Sequence, residues 1–275
     1  MLAVLKSGGI CVTLSPTFSI QRKKDIAKAT KFKVAIVQAD IAATLEDLGS
    51  EMMPLSEVCI IYTPTMEAQP KRQPATAETT AFFVFTSGSS GEPKGVLKDH
   101  ASVSTSAIAH RKAFGINEES RVLQFASHIW SISIYDFIST LIHGGCICIP
   151  SESDRMNNLE KSIQKLEVTH ATLAPSTITD ILTPAKVPSL KVLILGGEPV
   201  LRASIDTWGD KVHLYSNYGT SETLCAAATQ LTKDHGGRIV GRHTTANRCW
   251  IVNPETMRSC YQSERLASLW SRDEP

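Results

Sequence analysis

The sequence contains no apolar run that approaches the ~18 residues needed to cross a bilayer, so a transmembrane helix is not expected. It also lacks an excess of either charge, since 28 Lys and Arg face 27 Asp and Glu. Electrostatics therefore gives no reason to expect a nucleic-acid or membrane partner. The apolar N-terminal stretch is interrupted by Lys6 and by Gly8 and Gly9, which argues against a secretory signal. We expect a soluble, cytoplasmic protein.

Paired cysteine motifs are missing as well. The chain has 7 cysteines, an odd number, without C-x-x-C spacing and without a Cys/His set at zinc spacing. Several lie in apolar runs, among them Cys59, Cys146 and Cys148. This pattern is typical of reduced, buried thiols in an intracellular protein.

Short apolar runs alternate with helical patterns, which predicts an α/β architecture. The stretch 63–80 is polar, holds three prolines and lacks periodicity, so we expect an exposed linker. Residues 261–275 are polar without a clear pattern and are expected to form an irregular tail after a domain over 1–260. Strands are predicted over 11–14, 34–37, 82–85, 146–149, 192–195, 212–215 and 250–252, and helices over 20–29, 102–112, 132–142, 159–166, 176–182 and 201–208.

The most informative segment is 82–100, FFVFTSGSSGEPKGVLKDH. A strand-like run enters a loop whose glycines permit close approach of a ligand to backbone N–H groups. Converging N–H groups, hydroxyl donors and one ammonium group suit a polyphosphate. The glycines are Gly88, Gly91 and Gly95, the hydroxyls belong to Thr86, Ser87, Ser89 and Ser90, and Lys94 supplies the charge.

This loop is not a Walker P-loop, which needs Gly-Lys-Ser/Thr leading into a helix. Here Lys94 precedes Gly95, and Val96 and Leu97 follow. We therefore expect a strand–loop–strand element and disfavour a simple P-loop ATPase. A flexible Gly/Ser hairpin without a ligand is the plain structural alternative, and the added Pro93-Lys94-Gly95 weighs against it.

The segment TSGSSGEPKG resembles the signature loop of the acyl-adenylate-forming (AMP-binding) enzymes, [ST]-[SG]-G-[ST]-[ST]-G-x-P-K-G. Further segments resemble that family in the right order, closest to adenylation domains of fungal-type nonribosomal peptide synthetases. They are LKSGGICVTLSPTFSIQRKKDI, QFASHIWSISIYDFISTLIHGGCICIP, LKVLILGGEPV, SNYGTSET, and the pair GRIVGR and WIVNPE. The resemblance implies the layered αβα subdomains of the family's large N-terminal domain.

The resemblance also implies site roles. Tyr218 is expected to stack on adenine, Glu198 to lie beside it, and Gly196 and Gly197 to let the backbone approach the nucleotide. Ser221 is expected at the α-phosphate, where the family usually has Thr, and Glu222 at Mg²⁺. The implied catalytic residues are Lys94, Ser221 and Glu222, and the implied ATP-binding set is Thr86, Ser87, Gly88, Ser89, Ser90, Gly91, Lys94, Gly197, Glu198, Asn217, Tyr218, Gly219, Thr220 and Ser221.

Plain structural roles compete with these. Tyr218 could be a half-buried aromatic at a strand end, Glu222 a charge at a helix start and Trp130 a core residue. Their register with the phosphate loop favours the functional interpretation.

The implied substrate pocket departs from the amino-acid-activating pattern. There an Asp after the aromatic gate binds the α-ammonium group, whereas Trp130 is followed by Ser131. Because an ammonium ion buried without a counter-charge is costly, we expect a keto, hydroxy or aryl acid rather than an ordinary α-amino acid. The lining positions implied by resemblance are Trp130, Ser131, Ile132, Tyr135, Thr172, Ile194, Gly196, Asn217, Cys225 and Ala226.

In the family, a carboxylate attacks the ATP α-phosphorus, and a phosphopantetheine thiol on a carrier protein then takes the acyl group. The resemblance fades after Glu255, so we expect a chain truncated at both ends and impaired in adenylation. The alternatives are a non-catalytic nucleotide-binding remnant, an acyl-CoA synthetase-like ligase, or a gene-model artefact that does not fold stably. Loss of function also competes as an explanation of Ser131.

Overall fold

The computed structural model describes residues 1–39, 42, 45, 48, 51–55, 75–87, 93–253 and 255–256. The chain divides into two units, Met1–His100 and Ala101–Pro275. Each unit has its own sheets and helices, so each is described by itself.

The first unit contains two small sheets within its described residues. Strand β1 pairs in parallel with β4, which pairs with β5 in antiparallel fashion, and β2 pairs in parallel with β3. The elements are α1 (Leu2–Lys6), β1 (Cys11–Val12), α2 (Ile20–Thr30), β2 (Val34–Gln38), β3 (Glu51–Leu55), β4 (Thr80–Ser87) and β5 (Pro93–Asp99).

Helix α2 shows how local sequence sets an element. Its N-cap residue Ser19 accepts a hydrogen bond from the backbone N–H of Arg22, which satisfies one of the free donors of the first turn. The helix ends at Thr30, and its C-cap residue, Lys31, adopts a left-handed conformation with φ 48°. Between these ends Ile26 is fully buried.

The second unit is built on one large sheet. Among the described residues its strand order is β12-β11-β10-β9-β8-β6-β7, with parallel pairing from β7 to β10 and antiparallel pairing of β11 and β12. The elements are α3 (His100–Phe114), β6 (Arg121–Leu123), α4 (Ser131–Ile142), β7 (Cys146–Cys148), α5 (Glu152–Asn157), α6 (Leu159–Lys165), β8 (His170–Leu173), α7 (Pro175–Ile181), β9 (Val192–Gly196), α8 (Arg202–Trp208), β10 (His213–Tyr218), β11 (Ala227–Leu231) and β12 (Arg242–His243).

Both faces of this sheet are covered by helices. Successive side chains of a strand point to opposite sides, so neighbouring residues of one strand pack in different clusters. Leu193 and Leu195 of β9 pack in a cluster with Ile163 of α6 and Trp208 of α8. Ile194, between them, packs on the other side with Phe114 of α3. Helices on both faces of a mainly parallel sheet confirm the predicted α/β, αβα layering.

The six predicted helices are all present, with ends shifted by at most two residues, and so are six of the seven predicted strands. The strand predicted over 250–252 is wrong, because only Val252 makes a bridge there. The linker prediction also extends one residue too far, since Thr80 already belongs to β4, while 75–79 are exposed. Residues 63–74 of that linker and the tail 261–275 lie outside the described residues.

The described cysteines are free thiols, as expected. Cys11, Cys148 and Cys225 are buried, but Cys146 is exposed, because it begins the strand at one end of the sheet order. Cys59 lies outside the described residues. Within the described part of the chain, none of the helices has both the length and the apolar character to cross a membrane.

Candidate functional site

A cavity of about 770 Å³ opens in the second unit where parallel strands end. Thr172, Gly196 and Asn217 lie at or near the carboxyl ends of β8, β9 and β10 and border it. In open α/β sheets this edge is where ligands bind, because the loops after the strands converge there. We call this space the strand-end cavity.

The cavity brings together much of the predicted site. Six of the ten positions expected in the substrate pocket border it, namely Trp130, Ser131, Ile132, Thr172, Gly196 and Asn217. Five further positions expected to contact the nucleotide also border it, namely Gly197, Glu198, Gly219, Thr220 and Ser221.

Four expected pocket residues do not border the cavity in this structure. Tyr135 is fully buried on α4, and Ile194 is buried in the cluster that joins β9 to α3. Cys225 and Ala226 are buried just before β11. All four are covered by neighbouring helices or strands, so their side chains lie behind the cavity wall.

The first turn of α4 forms one wall. Trp130, the N-cap residue, is 61% exposed, and its carbonyl accepts a hydrogen bond of 2.8 Å from the Ser133 hydroxyl. Ser131 follows and its hydroxyl donates to the hydroxyl of Ser221 at 3.4 Å. The residue in the position of the family's ammonium-binding Asp therefore contacts the residue expected at the α-phosphate.

The SNYGTSET segment spans the end of β10 and the turn after it, and residues of this turn also border the cavity. The backbone N–H of Leu224 donates to the carbonyl of Thr220, and the turn is tight around Gly219. A Cβ on Gly219 would lie 1.4 Å from the Leu224 carbonyl oxygen, so a side chain does not fit there. Tyr218 does not border the cavity and is 49% exposed.

The turn after β9 borders the cavity and contacts helix α7 through a side chain. Gly197 has φ 81° and open space around its Cα, so a ligand can approach its backbone. The next residue, Glu198, accepts hydrogen bonds from the backbone N–H and the hydroxyl of Ser176 at 3.1 and 3.0 Å. Ser176 is the second residue of α7, so Glu198 satisfies one of that helix's free donors.

The predicted phosphate loop belongs to the first unit. Strands β4 and β5 confirm the expected strand–loop–strand element, and Thr86 pairs with Lys94 across it. The Thr86 hydroxyl donates to the Lys94 carbonyl at 3.4 Å, and the Lys94 side chain is exposed. Ser87 is the last residue of β4, while Gly88, Ser89, Ser90 and Gly91 lie outside the described residues.

Sequence reasoning missed several groups around the cavity. Arg155 borders it, forms an ion pair with Glu152 and donates to the Phe125 carbonyl at 3.0 Å. Asp136 lies behind it and accepts a hydrogen bond of 3.0 Å from the Thr172 hydroxyl. Asp136 follows the cavity-lining Ile132 by one helical turn, a spacing that could have indicated it; Arg155 had no comparable signal.

Burial changes the titration of the groups behind the wall. Desolvation raises the pKa of Asp136 from 3.8 to about 7, although the Thr172 hydrogen bond opposes the shift. Desolvation, aided by His170 and His143, lowers the pKa of His110 from 6.5 to about 3. Burial also raises the pKa of Tyr135 and raises that of Cys225 to about 12. The layer behind the cavity therefore disfavours charge.

Glu222, the predicted metal ligand, is exposed on the turn after β10. Among the residues that the structure describes, no group of three or more His, Cys, Asp or Glu side chains is arranged to hold a metal ion. A single carboxylate is nevertheless compatible with Mg²⁺, which is commonly held by one or two carboxylates together with phosphate oxygens and water.

The family of AMP-binding enzymes matches residues 1–273, and the chain belongs to this family. This match confirms the resemblance drawn from the motifs. Ligase and ATP-binding character are properties of the family, and the relatives and solved structures below support the same assignment.

Similar curated proteins are fungal nonribosomal peptide synthetases. The chain is 35% identical over 257 residues to nonribosomal peptide synthetase atnA of Emericella nidulans, covering 92% of this chain and 4% of that protein. It is 39% identical over 263 residues to nonribosomal peptide synthetase TES of Alternaria alternata, covering 92% and 5%. It is 35% identical over 259 residues to D-lysergyl-peptide-synthetase subunit 2 of Epichloe festucae var. lolii, covering 92% and 19%. The chain thus spans a small part of each relative.

Solved structures support the same fold. The Vibrio cholerae adenylation domain AlmE, in complex with glycyl-adenosine-5'-phosphate, matches with a TM-score of 0.75 at 18% identity, over 92% of this chain and 55% of that one. The Klebsiella oxytoca NpsA N-terminal subdomain matches with a TM-score of 0.77 at 19% identity, over 96% and 68%. O-succinylbenzoate coenzyme A synthetase (MenE) of Bacillus subtilis, in complex with ATP and magnesium ion, matches with 0.76 at 18%, over 94% and 54%.

Proposed function

We propose that this AMP-binding family member activates a carboxylic acid with ATP and passes the acyl group to the phosphopantetheine thiol of a carrier protein. The strand-end cavity carries this proposal, because residues of the family's motifs converge on it. An oxygen of the acid forms a bond to the α-phosphorus, the bond from that phosphorus to the β-phosphate oxygen breaks, and pyrophosphate leaves. The thiol then attacks the acyl carbon and releases AMP.

The residues present fit a nucleotide. Gly197 offers an accessible backbone at the end of β9, and the exposed ring of Tyr218 offers a flat apolar surface to adenine. Ser221 and Thr220 add hydroxyl donors at the cavity wall. By resemblance to the family, the Thr86 hydroxyl and the Lys94 ammonium group would stabilise phosphate charge, and Glu222 would hold Mg²⁺, which would supply further neutralisation.

We propose a keto, hydroxy or aryl acid as the substrate, rather than an ordinary α-amino acid. The observation that supports this is Ser131, whose hydroxyl faces Ser221 where an ammonium-binding carboxylate would stand. Glu198, an acidic residue on the cavity wall, is already hydrogen-bonded to Ser176. An ammonium group in this cavity would lack a dedicated counter-charge and would be costly to desolvate.

The remaining parts of the proposal follow from the relatives. We assign residues 1–260 to the family's large adenylation domain, with a carrier protein or further synthetase domains as partners. A cytoplasmic location fits both the need for ATP and the free thiols of the described residues.

The test is ATP–pyrophosphate exchange by the purified, folded chain with a panel of amino, keto, hydroxy and aryl acids. We expect exchange that depends on one acid class and falls at least about 100-fold in Lys94→Ala, because the charge on the leaving pyrophosphate loses its partner. Lys28→Ala is the matched control, since Lys28 is exposed on α2. Exchange that is unchanged in Lys94→Ala would refute the assigned role.

Absence of exchange, with saturable ATP binding retained, would contradict the enzymatic proposal and favour the non-catalytic nucleotide-binding alternative. Transfer to coenzyme A instead of a carrier-protein thiol would favour the acyl-CoA synthetase-like alternative. The two thiols are compared directly by trapping the thioester formed from the same acid.

A further inference from the structure

We propose that the acid bound in the strand-end cavity carries a hydroxyl group, which donates a hydrogen bond to Thr172 Oγ1. We further propose that Asp136 is the positioning residue that makes Thr172 an acceptor. This inference rests on the proposed function and narrows its substrate class from keto, hydroxy or aryl acids to hydroxy acids, including hydroxyaryl acids.

Thr172 lies on β8, borders the cavity and is 7% exposed. Its hydroxyl donates to Asp136 Oδ1 at 3.0 Å. A hydroxyl has a single proton and two lone pairs, so once the proton is committed, the oxygen can only accept from another group. A ligand in the cavity therefore meets an acceptor at this position.

Asp136 keeps the Thr172 hydroxyl as the donor in this hydrogen bond. It is 1% exposed on α4, and above its pKa of about 7 its carboxyl is mainly ionised and has no proton to return to Thr172. Its second oxygen, Oδ2, is buried without a hydrogen-bond partner, so the carboxylate does not serve a wider structural network. A buried carboxylate with an unpaired oxygen is costly, which points to a role beyond packing.

Asn217 is a second polar residue at this wall. It borders the cavity, is 8% exposed, and its Oδ1 atom is buried without a partner. Strand register puts Asn217 on the same face of the sheet as Thr172, because Thr172 pairs with Ile194, Ile194 with Tyr215, and Asn217 is two residues beyond Tyr215. Two strand spacings across and two residues along separate their Cα atoms by about 12 Å, which one small acid can span.

Several other polar side chains on the wall are already engaged. Ser131 is bonded to Ser221, Glu198 to Ser176, and Arg155 to Glu152. The Thr172 oxygen thus remains as an acceptor at the cavity, and Asn217 adds an amide whose Oδ1 atom has no partner. A keto group offers only acceptors, and an ammonium group calls for a counter-charge beside Thr172 that a neutral hydroxyl donor does not need.

The test measures equilibrium binding by calorimetry at pH 8 in the presence of Mg²⁺ and α,β-methylene-ATP, whose bridge between the α- and β-phosphorus cannot be cleaved, so that it does not depend on turnover. At that pH the Asp136 carboxyl, whose pKa is about 7, is mainly ionised. The probes are matched acids with one skeleton: 3-phenylpropanoate, its 2-hydroxy, 2-keto and 2-amino forms, and its ring-hydroxylated form, together with the same series on 4-methylpentanoate. We expect a hydroxylated member to bind about tenfold more tightly than the unsubstituted and keto acids.

Thr172→Val should remove this preference, and Thr172→Ser, which keeps the hydroxyl, should restore it. Thr207→Val, at an exposed threonine on α8 whose hydroxyl donates to the Ala203 carbonyl, is the matched control and should leave the preference unchanged. Because Val at 172 leaves Asp136 Oδ1 unpaired, the double variant Thr172→Val/Asp136→Leu replaces both partners with apolar groups and provides a folded comparison.

The outcomes separate this inference from the function beneath it. Equal binding of the hydroxy, keto and unsubstituted acids would overturn the inference while acid binding, and with it the proposed function, stands. Tighter binding of the amino form, or a hydroxyl preference that survives in folded Thr172→Val, would also overturn it. Failure of every acid to bind would refute both.

Discussion

The carboxylate of Glu198 holds the start of helix α7 by accepting hydrogen bonds from both the backbone N–H and the hydroxyl of Ser176, at 3.1 and 3.0 Å. The two residues are 22 positions apart, yet this contact fixes the segment between β8 and α7 that borders the cavity. Ala174, the N-cap residue of α7, has no side chain that could satisfy those donors. Glu198 therefore caps the helix from a neighbouring turn.

Replacement of Glu198 tests this capping role. We expect Glu198→Ala to lower the free energy of unfolding by about 1–2 kcal/mol, because the α7 donor loses its acceptor. Glu198→Gln should recover part of the loss, since an amide oxygen still accepts one hydrogen bond. Urea denaturation measures both.

Asp206→Ala is the control for that measurement, since Asp206 forms an exposed i,i+4 ion pair with Arg202. Such pairs contribute at most about 0.5 kcal/mol. A Glu198→Ala effect no larger than the control would show that the capping contact does not stabilise the fold.

Gly219 in the SNYGTSET turn is expected to tolerate no side chain. A Cβ there would lie 1.4 Å from the carbonyl oxygen of Leu224, a backbone atom held in the same tight turn. We expect Gly219→Ala to destabilise the chain by at least about 3 kcal/mol, because the backbone of the turn has to rearrange. Thermal unfolding monitored by circular dichroism measures the effect.

Gly236→Ala is the matched substitution for Gly219→Ala. A Cβ on Gly236 meets nothing within 4 Å, so this variant should unfold within a few degrees of the parent chain. Similar melting temperatures for the two variants would contradict the steric argument.

Gly95, the last residue of the Pro93-Lys94-Gly95 segment, is expected to have a structural role. A Cβ on Gly95 would lie 2.1 Å from Cε2 of Phe83, whose ring stacks on Phe85 with centroids 4.7 Å apart. We expect Gly95→Ala to cost about 1–3 kcal/mol, since the ring has to leave its position over the glycine. In the double variant with Phe83→Ala the two losses should be less than additive, and strict additivity would refute the contact as the cause.

The sequence predicts elements and motif order better than it predicts contacts. The helix expected over 132–142 appears as Ser131–Ile142, because its apolar period is local information. Strands β6 and β8 have 3 and 4 residues, too short for a period to be distinguished. The bonds of Thr172 with Asp136 and of Ser131 with Ser221 join residues 36 and 90 positions apart, so they depend on strand order, which periodicity does not contain.

The pocket positions show the same division. Motif register places Ser131, Gly196 and Asn217 in one predicted pocket, and in the structure all three border the strand-end cavity. It did not indicate that Tyr135 and Ile194 lie behind the wall, since their exposure depends on how α3 and α4 pack on the sheet. The way these helices pack depends on contacts throughout the second unit, which local sequence does not contain.

We expect the buried side chain of His110 to lower the free energy of unfolding. It is 1% exposed, both ring nitrogens are buried without partners, and it packs against Phe114 at 4.7 Å between ring centroids. We expect His110→Phe to raise the free energy of unfolding at pH 7 by about 1 kcal/mol, because an apolar ring of similar shape leaves no unpaired polar atom. A loss of stability at pH 7 would contradict this account.

The same variant should change the pH dependence of stability. The pKa of His110 falls from 6.5 to about 3 on folding, so between those values the unfolded state binds a proton that the folded state does not. Stability is therefore lost as pH falls below 6.5, and His110→Phe should reduce that slope by up to about 1.4 kcal/mol per pH unit. His243→Phe, at an exposed histidine on β12, is the matched control for this slope.

Asp136 should produce the opposite slope over an overlapping range. Burial raises its pKa from 3.8 to about 7, so between those values the folded state holds a proton that the unfolded state has released. This contribution to stability is fully present below pH 3.8 and is lost as pH rises through 7. Asp136→Asn keeps an acceptor for Thr172 and cannot titrate, so the fall in unfolding free energy between pH 4 and 7 should become shallower. Urea titrations at half-unit pH steps, with exposed Asp206→Asn as the control, measure this; an unchanged slope would mean that Asp136 is ionised throughout the range and that its burial does not disfavour charge.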